Sequence, residues 1–150
     1  MNIIAFTPNK LPDVLPDVLQ WQDSQRRTMA CNVIEYAKPE DDIILAFDGA
    51  ELIGVALCQL LQGEADKLSS DVIYLAGLAT KRPGYGKEFF RQICEYIKEC
   101  GFDGVSLTSM SDVTGFYQSI GLEQSGLTFY QIWRIKCPRK ILQWNPVSGI

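Results

Sequence analysis

Residues 81–87, Lys-Arg-Pro-Gly-Tyr-Gly-Lys, set three cations and two glycines together between an uncharged apolar run and a helical pattern. The run ahead of them, Val72-Ile73-Tyr74-Leu75-Ala76-Gly77-Leu78-Ala79, predicts an interior strand buried on both faces. Behind them Phe89, Phe90, Ile93, Cys94, Ile97 and Cys100 recur at helical spacing, with Glu88, Arg91, Gln92, Glu95, Lys98 and Glu99 on the other side. Gly101 stands at a natural helix stop. The first amides of such a helix have no partner within it and lie at the positive end of its dipole. Glycines let an anion come close, and Lys81, Arg82 and Lys87 add positive charge. Phosphate is the anion this arrangement suits. The same residues also suit a plain connector, because many strand-to-helix turns carry glycines for steric reasons and lysines for solubility.

What the chain lacks narrows the proton chemistry. Its 150 residues include no histidine, which leaves carboxylates, Tyr, Cys, Lys, a chain terminus or water. Val72 to Thr80 holds no carboxylate, Asp71 lies at the far end of that strand, and Asp48 and Glu51 fall in a hairpin turn where solvated charge is the expected role. No general base is assigned. The five cysteines, Cys31, Cys58, Cys94, Cys100 and Cys137, are odd in number, widely spaced and mostly in apolar segments. They read as small core hydrophobes, with neither a disulfide framework nor a metal site indicated.

With 47% hydrophobic residues, a chain of this length supports one well-packed domain. No apolar run approaches the ~20 residues of a membrane span, and Met1-Asn2-Ile3-Ile4 lacks the basic start of a signal peptide, so no membrane partner and a cytoplasmic location are expected. A net charge of -4 argues against a nucleic-acid groove.

In chain order, Asn2 to Thr7 reads as a short strand, and Pro16 and Asp17 begin a helix running toward Cys31 and Tyr36, with a break near Gln22 to Gln25. Ile43 to Phe47 and Leu52 to Leu61 are strands joined by Asp48-Gly49-Ala50-Glu51, and Gly54 marks close packing or a bulge. Gln62 to Ser70 is a loop. After the central strand and helix come a strand at Gly104 to Thr108, parallel to the central one, and a helix from about Asp112 to Ser119. Two more strands follow, Glu123 to Thr128 and Phe129 to Ile135.

This order, β, α, β-β-β, α, β, α, β-β, resembles the GNAT superfamily of acyl-CoA-dependent N-acetyltransferases. That family's pyrophosphate loop reads Gln or Arg, two residues, Gly, one residue, Gly or Ala; Lys81-Arg82-Pro83-Gly84-Tyr85-Gly86 fits with Lys81 in first place. A second likeness is Phe116-Tyr117-Gln118-Ser119-Ile120-Gly121-Leu122, where the family places Phe-Tyr shortly before a glycine and an aromatic; here Leu122 replaces the aromatic. Together the likenesses cover roughly residues 43 to 135.

The resemblance implies a single-domain α/β (α+β) fold over 1–135 with a tail at 136–150. Its sheet would be mixed and mostly antiparallel, with helices on both faces and a splayed central parallel strand pair. It implies acetyl-CoA as co-substrate and a primary amine of a small molecule or peptide as acceptor. Leu78, Ala79 and Thr80 would bond the pantetheine arm through their backbone, and amides from Arg82 through Gly84, Tyr85, Gly86 and Lys87 would hold the pyrophosphate. Pro83 has no amide to give. Thr108 and Ser109 would face the cofactor from the other wall, with Ser109 or Ser111 in the place of the family's frequent Asn; both serines equally suit helix caps. Tyr117 would donate to the departing CoA thiolate, which its reference pKa of ~10 permits; a packed ring with its hydroxyl on a carbonyl is the other reading. Trp21, Tyr36, Phe129, Tyr130 and Trp133 are candidate lining for an acceptor cleft, and aromatics there are also commonly core. Two further functions fit the same residues: an acyl-CoA-binding protein without turnover, and an α/β interaction module whose turn meets no phosphate. The late hairpin leaves an edge through which a homodimer could form.

Overall fold

A computed structural model describes residues 1–60, 72–108, 114–125 and 128–133. Its elements are β1 (Asn2–Phe6), a 3-10 turn (Pro8–Lys10), α1 (Leu15–Leu19), α2 (Ser24–Tyr36), β2 (Asp42–Asp48), β3 (Glu51–Leu60), β4 (Val72–Thr80), α3 (Gly86–Glu99), β5 (Gly104–Thr108), α4 (Thr114–Ser119), β6 (Glu123–Ser125) and β7 (Thr128–Ile132). The fold is mixed α/β, with a mostly antiparallel sheet, flanking helices and one parallel pair, β4 with β5. The chain divides into two compact units, Met1–Gln59 with Leu75–Glu95 and Leu60–Tyr74 with Tyr96–Ile150. β4 passes from the second into the first.

In the first unit the strand order is β1-β2-β3-β4, with β1–β2 and β2–β3 antiparallel. The break foreseen in the early helix is real. Asp23 ends the gap between α1 and α2 by accepting from the amides of Gln25 (3.0 Å) and Arg26 (3.1 Å), a cap worth ~1 kcal/mol. Gly49 and Ala50 alone connect β2 to β3. The register then slips between Ala46 and Phe47: Ala46 faces Gly54 and Phe47 faces Leu52, so Ile53 is the extra residue of a bulge. Gly54, next to it, is required by close approach, since a Cβ there would meet the buried Phe89 ring at 2.7 and 2.8 Å. The core of this unit gathers Val14, Val18, Trp21, Ala30 and Val33 against Ile43, Leu45, Val55 and Ala79. α3 buries Phe89, Phe90, Ile93, Cys94 and Ile97, the face its spacing dictates.

In the second unit β7 lies between β5 and β6, antiparallel to both. Two helices end the same way here. Phe102 N bonds Ile97 O (3.2 Å) and Gly101 N bonds Lys98 O (2.9 Å); Leu122 N bonds Tyr117 O (3.2 Å) and Gly121 N bonds Gln118 O (3.2 Å). Both are Schellman motifs, which explains why each helix stops at its glycine. Cys100 follows the last residue of α3 and is exposed, a correction to its assignment as a core thiol; Cys58 and Cys94 are buried as expected. The loop at 62–70 and the tail from Lys136 lie outside the described residues. Among the described residues no helix is long and apolar enough to cross a membrane.

Candidate functional site

β4 departs from the fully buried strand that its composition predicts. Val72, Ile73, Leu75, Ala79 and Thr80 are buried, whereas Ala76 is exposed and Gly77 and Leu78 are half-buried. An interior strand that opens in its middle leaves residues 76–78 uncovered a few positions before the glycine turn. The end of the strand is fixed by neighbours within the first unit. The bulge at Ile53 turns its carbonyl toward the amide of Lys81, which donates to it at 2.8 Å. Arg26, from α2, donates to the Thr80 hydroxyl at 2.6 Å and to the Thr80 carbonyl at 3.4 Å, and that hydroxyl in turn donates to Arg82 O at 3.3 Å. Thr80, expected to bond a cofactor through its backbone, is thus also the knot that ties α2 to the turn.

Gly84 has φ +106°, a left-handed conformation that favours glycine, and a Cβ built on it would meet nothing within 4 Å. The turn therefore faces open space. The first bond of α3 runs from Phe89 N to Tyr85 O (3.0 Å), so the amides of Tyr85, Gly86, Lys87 and Glu88 precede the helical ladder. With the dipole of a fourteen-residue helix behind them, they can receive an anion. Lys87 is exposed in this first turn.

The side-chain charges differ from the sequence expectation. Glu51, read as a solvated turn residue, accepts from Lys81 Nζ (2.7 Å) and from the two terminal guanidinium nitrogens of Arg82 (3.1 and 3.2 Å). Hydrogen bonds from Arg82 and then Lys81 hold its carboxyl at about 2, and the same contact raises Arg82 above its ordinary value. Lys81 and Arg82 thus share a resident counterion. Arg82 also donates to Tyr85 Oη (2.8 Å) and lies 5.1 Å from that ring's centre, while Tyr85 Oη reaches Asp48 at 3.4 Å. Asp48, the other supposedly solvated acid, is therefore tied to the turn as well. Lys81 and Arg82 line a cleft of about 300 Å³ together with Gln20 and Gln22 from the α1–α2 link.

In the second unit Tyr117 sits half-buried in α4, and burial raises its hydroxyl above the usual tyrosine value. The group therefore keeps its proton at neutral pH and can donate it. Ser109 and Ser111 lie outside the described residues, as do the side chains of Thr108, Phe129 and Tyr130. Trp21 is core at 1% exposure rather than cleft lining, and Tyr36 is exposed. Trp133 is pinned by its indole N–H on Phe102 O (2.8 Å).

Sequence reasoning assigned no role to Arg26 or to the two glutamines, and it misassigned Glu51. Each lies 30 or more positions from the turn it serves, beyond the reach of local pattern; only the Asp-Gly hairpin cue, which places Glu51 at the end of the β2–β3 turn, gave a partial signal.

No protein-family model and no curated protein matches the sequence. Solved structures share its fold, and that fold is the one of the GNAT acetyltransferases. Among them, Tetrahymena GCN5 aligns over 91% of this chain and 99% of its own with a TM-score of 0.65 at 9% identity. An acetyltransferase of Bacillus subtilis, solved in complex with CoA, aligns over 89% and 99% with a TM-score of 0.59 at 16% identity. Escherichia coli ElaA aligns over 87% and 99% with a TM-score of 0.61 at 14% identity.

Proposed function

We propose that the protein is an N-acetyltransferase that moves an acetyl group from acetyl-CoA to a primary amine of a small molecule or peptide. The observation that carries this reading is the sequence of events along β4: exposure at Ala76 with Gly77 and Leu78 half-buried, then a turn opening through Gly84 ahead of the first amides of α3, which precede its hydrogen-bond ladder. An extended ligand with a polar, amide-bearing arm and a diphosphate matches both halves. The fold shared with the CoA-bound Bacillus subtilis acetyltransferase supports the same ligand.

In this reading Leu78 and Ala79 bond the pantetheine arm, amides of the turn from Arg82 to Lys87 bind the diphosphate, and Ser109 is a further contact to the arm. When bound, acetyl-CoA supplies a thioester: the amine nitrogen bonds its carbonyl carbon, the carbon–sulfur bond breaks, and the thiolate leaves. Tyr117 donates its proton to that sulfur and regains one from water, to which the amine's surplus proton also goes. The raised pKa of Tyr117 suits a donor.

A second reading, an acyl-CoA-binding protein without turnover, is favoured by the lack of any carboxylate between Val72 and Thr80. Two measurements separate the readings. CoA at 100 times its Kd should add ~2.7 kcal/mol to stability and raise the melting temperature; no shift overturns both. Thiol release over a panel of amines should then detect transfer, with Tyr117→Phe lowering kcat by ~100-fold or more and leaving CoA affinity unchanged. Tight CoA binding with a silent panel selects the binding protein.

A further inference from the structure

The two cations at the start of the turn converge on one carboxylate from a separate hairpin. Glu51 Oε2 is 2.7 Å from Lys81 Nζ and 3.1 Å from Arg82 NH1, and its side chain is 37% exposed against 28% and 48% for its partners. The geometry is held at both ends. Lys81 is anchored through its amide on Ile53 O, two residues beyond Glu51, and Arg82 is braced by Tyr85. These contacts leave Lys81, Arg82 and Glu51 with a summed charge of +1 rather than +2, beside a cleft lined by the same two cations. An anion entering that cleft meets the two cations only by sharing them with Glu51 or displacing it.

We propose that Glu51 is a specificity-determining residue of the turn: a built-in counter-anion that weakens every phosphorylated ligand and makes the site discriminate by ligand charge. The inference takes its ligand, CoA, from the function proposed above, but its electrostatics apply to any diphosphate. Removing the charge leaves both cations to the incoming anion, so affinity rises. The rise is larger for a ligand with more phosphate charge, and it fades with salt because the groups are partly exposed.

The test is isothermal titration of the full chain, wild type against Glu51→Gln and Glu51→Ala, with CoA, dephospho-CoA and inorganic diphosphate as probes. At low salt both substitutions should tighten CoA and diphosphate by about 3- to 10-fold, tighten dephospho-CoA less, and lose most of the gain at ~1 M salt, where the Debye length is ~3 Å. Equal or weaker binding of CoA and diphosphate in both variants overturns the inference and makes Glu51 a positioning residue for Arg82. If no protein binds CoA but the variants gain affinity for diphosphate, the acetyltransferase reading falls and the role of Glu51 stands. If none binds either probe, both fall.

Discussion

Two turns of the first unit, residues 48–51 and 81–86, look unrelated in the sequence. The first is acidic, short and suited to a hairpin; the second is basic, glycine-containing and suited to an anion. In the fold they meet, Glu51 on Lys81 and Arg82, Asp48 on Tyr85. Formal charge assigned one turn at a time overstates the second and dismisses the first. Division of labour follows: the first amides and the dipole of α3 offer attraction from a turn whose one acid, Glu88, is paired with Arg91, while Lys81 and Arg82 are already engaged by Glu51.

The largest expected effect tests the backbone half of that contrast. Gly84→Asp forces a side chain into a left-handed conformation, at ~1–2 kcal/mol, and sets a negative charge where the anion belongs. CoA affinity should fall by more than ~100-fold, since a like charge at ~4 Å near a surface costs several kcal/mol before screening. Unchanged affinity by titration would show that the turn is only a connector.

Next comes the joint that holds the hairpin beneath the turn. Gly54→Ala drives a methyl to 2.7 Å from the ring of Phe89, which is fully buried and has little room to yield. Overpacking of this kind costs ~1–3 kcal/mol, measurable by urea denaturation. A neutral result would mean that the bulge at Ile53 relaxes easily, and with it the hold on Lys81.

The smallest effect is electrostatic and has a fixed sign. Glu51 titrates at about 2 in the folded protein, below the 4.5 of an ordinary carboxyl, so its bridge stabilises the fold above about 4.5 and is lost as pH falls toward 2. The melting temperature of wild type should exceed that of Glu51→Gln at neutral pH, and the gap should close between about pH 4.5 and 2. A gap that persists in acid would mean that the carboxylate's charge is not what matters there. Together with the binding gain expected of the same variant, this sets ligand affinity against stability at one residue.

Periodicity and turn chemistry, properties of neighbouring residues, were enough to read the succession of elements. The apolar stripe of α3, the stop at Gly101, the split between α1 and α2 and the alternatives offered for Gly54 all follow from local spacing, and local spacing survives folding. The glycine turn was legible for the same reason: a helix start and a left-handed residue are written in a few consecutive positions. Burial of β4 was not. An uninterrupted apolar run reports that a strand is interior, but whether its middle is covered depends on what other elements pack there, and Ala76 is exposed.

The partners of the turn were likewise decided only by tertiary structure. Arg26 lies 54 positions from Thr80 and Glu51 lies 31 from Arg82, separations across which sequence pattern carries no information. The amino-acid sequence by itself determined that a helix would begin after residues able to admit an anion. Folding determined how much charge that anion would find, because electrostatic contacts depend on distance in space, and the distance from Glu51 to Lys81 was set by a two-residue hairpin and a one-residue bulge.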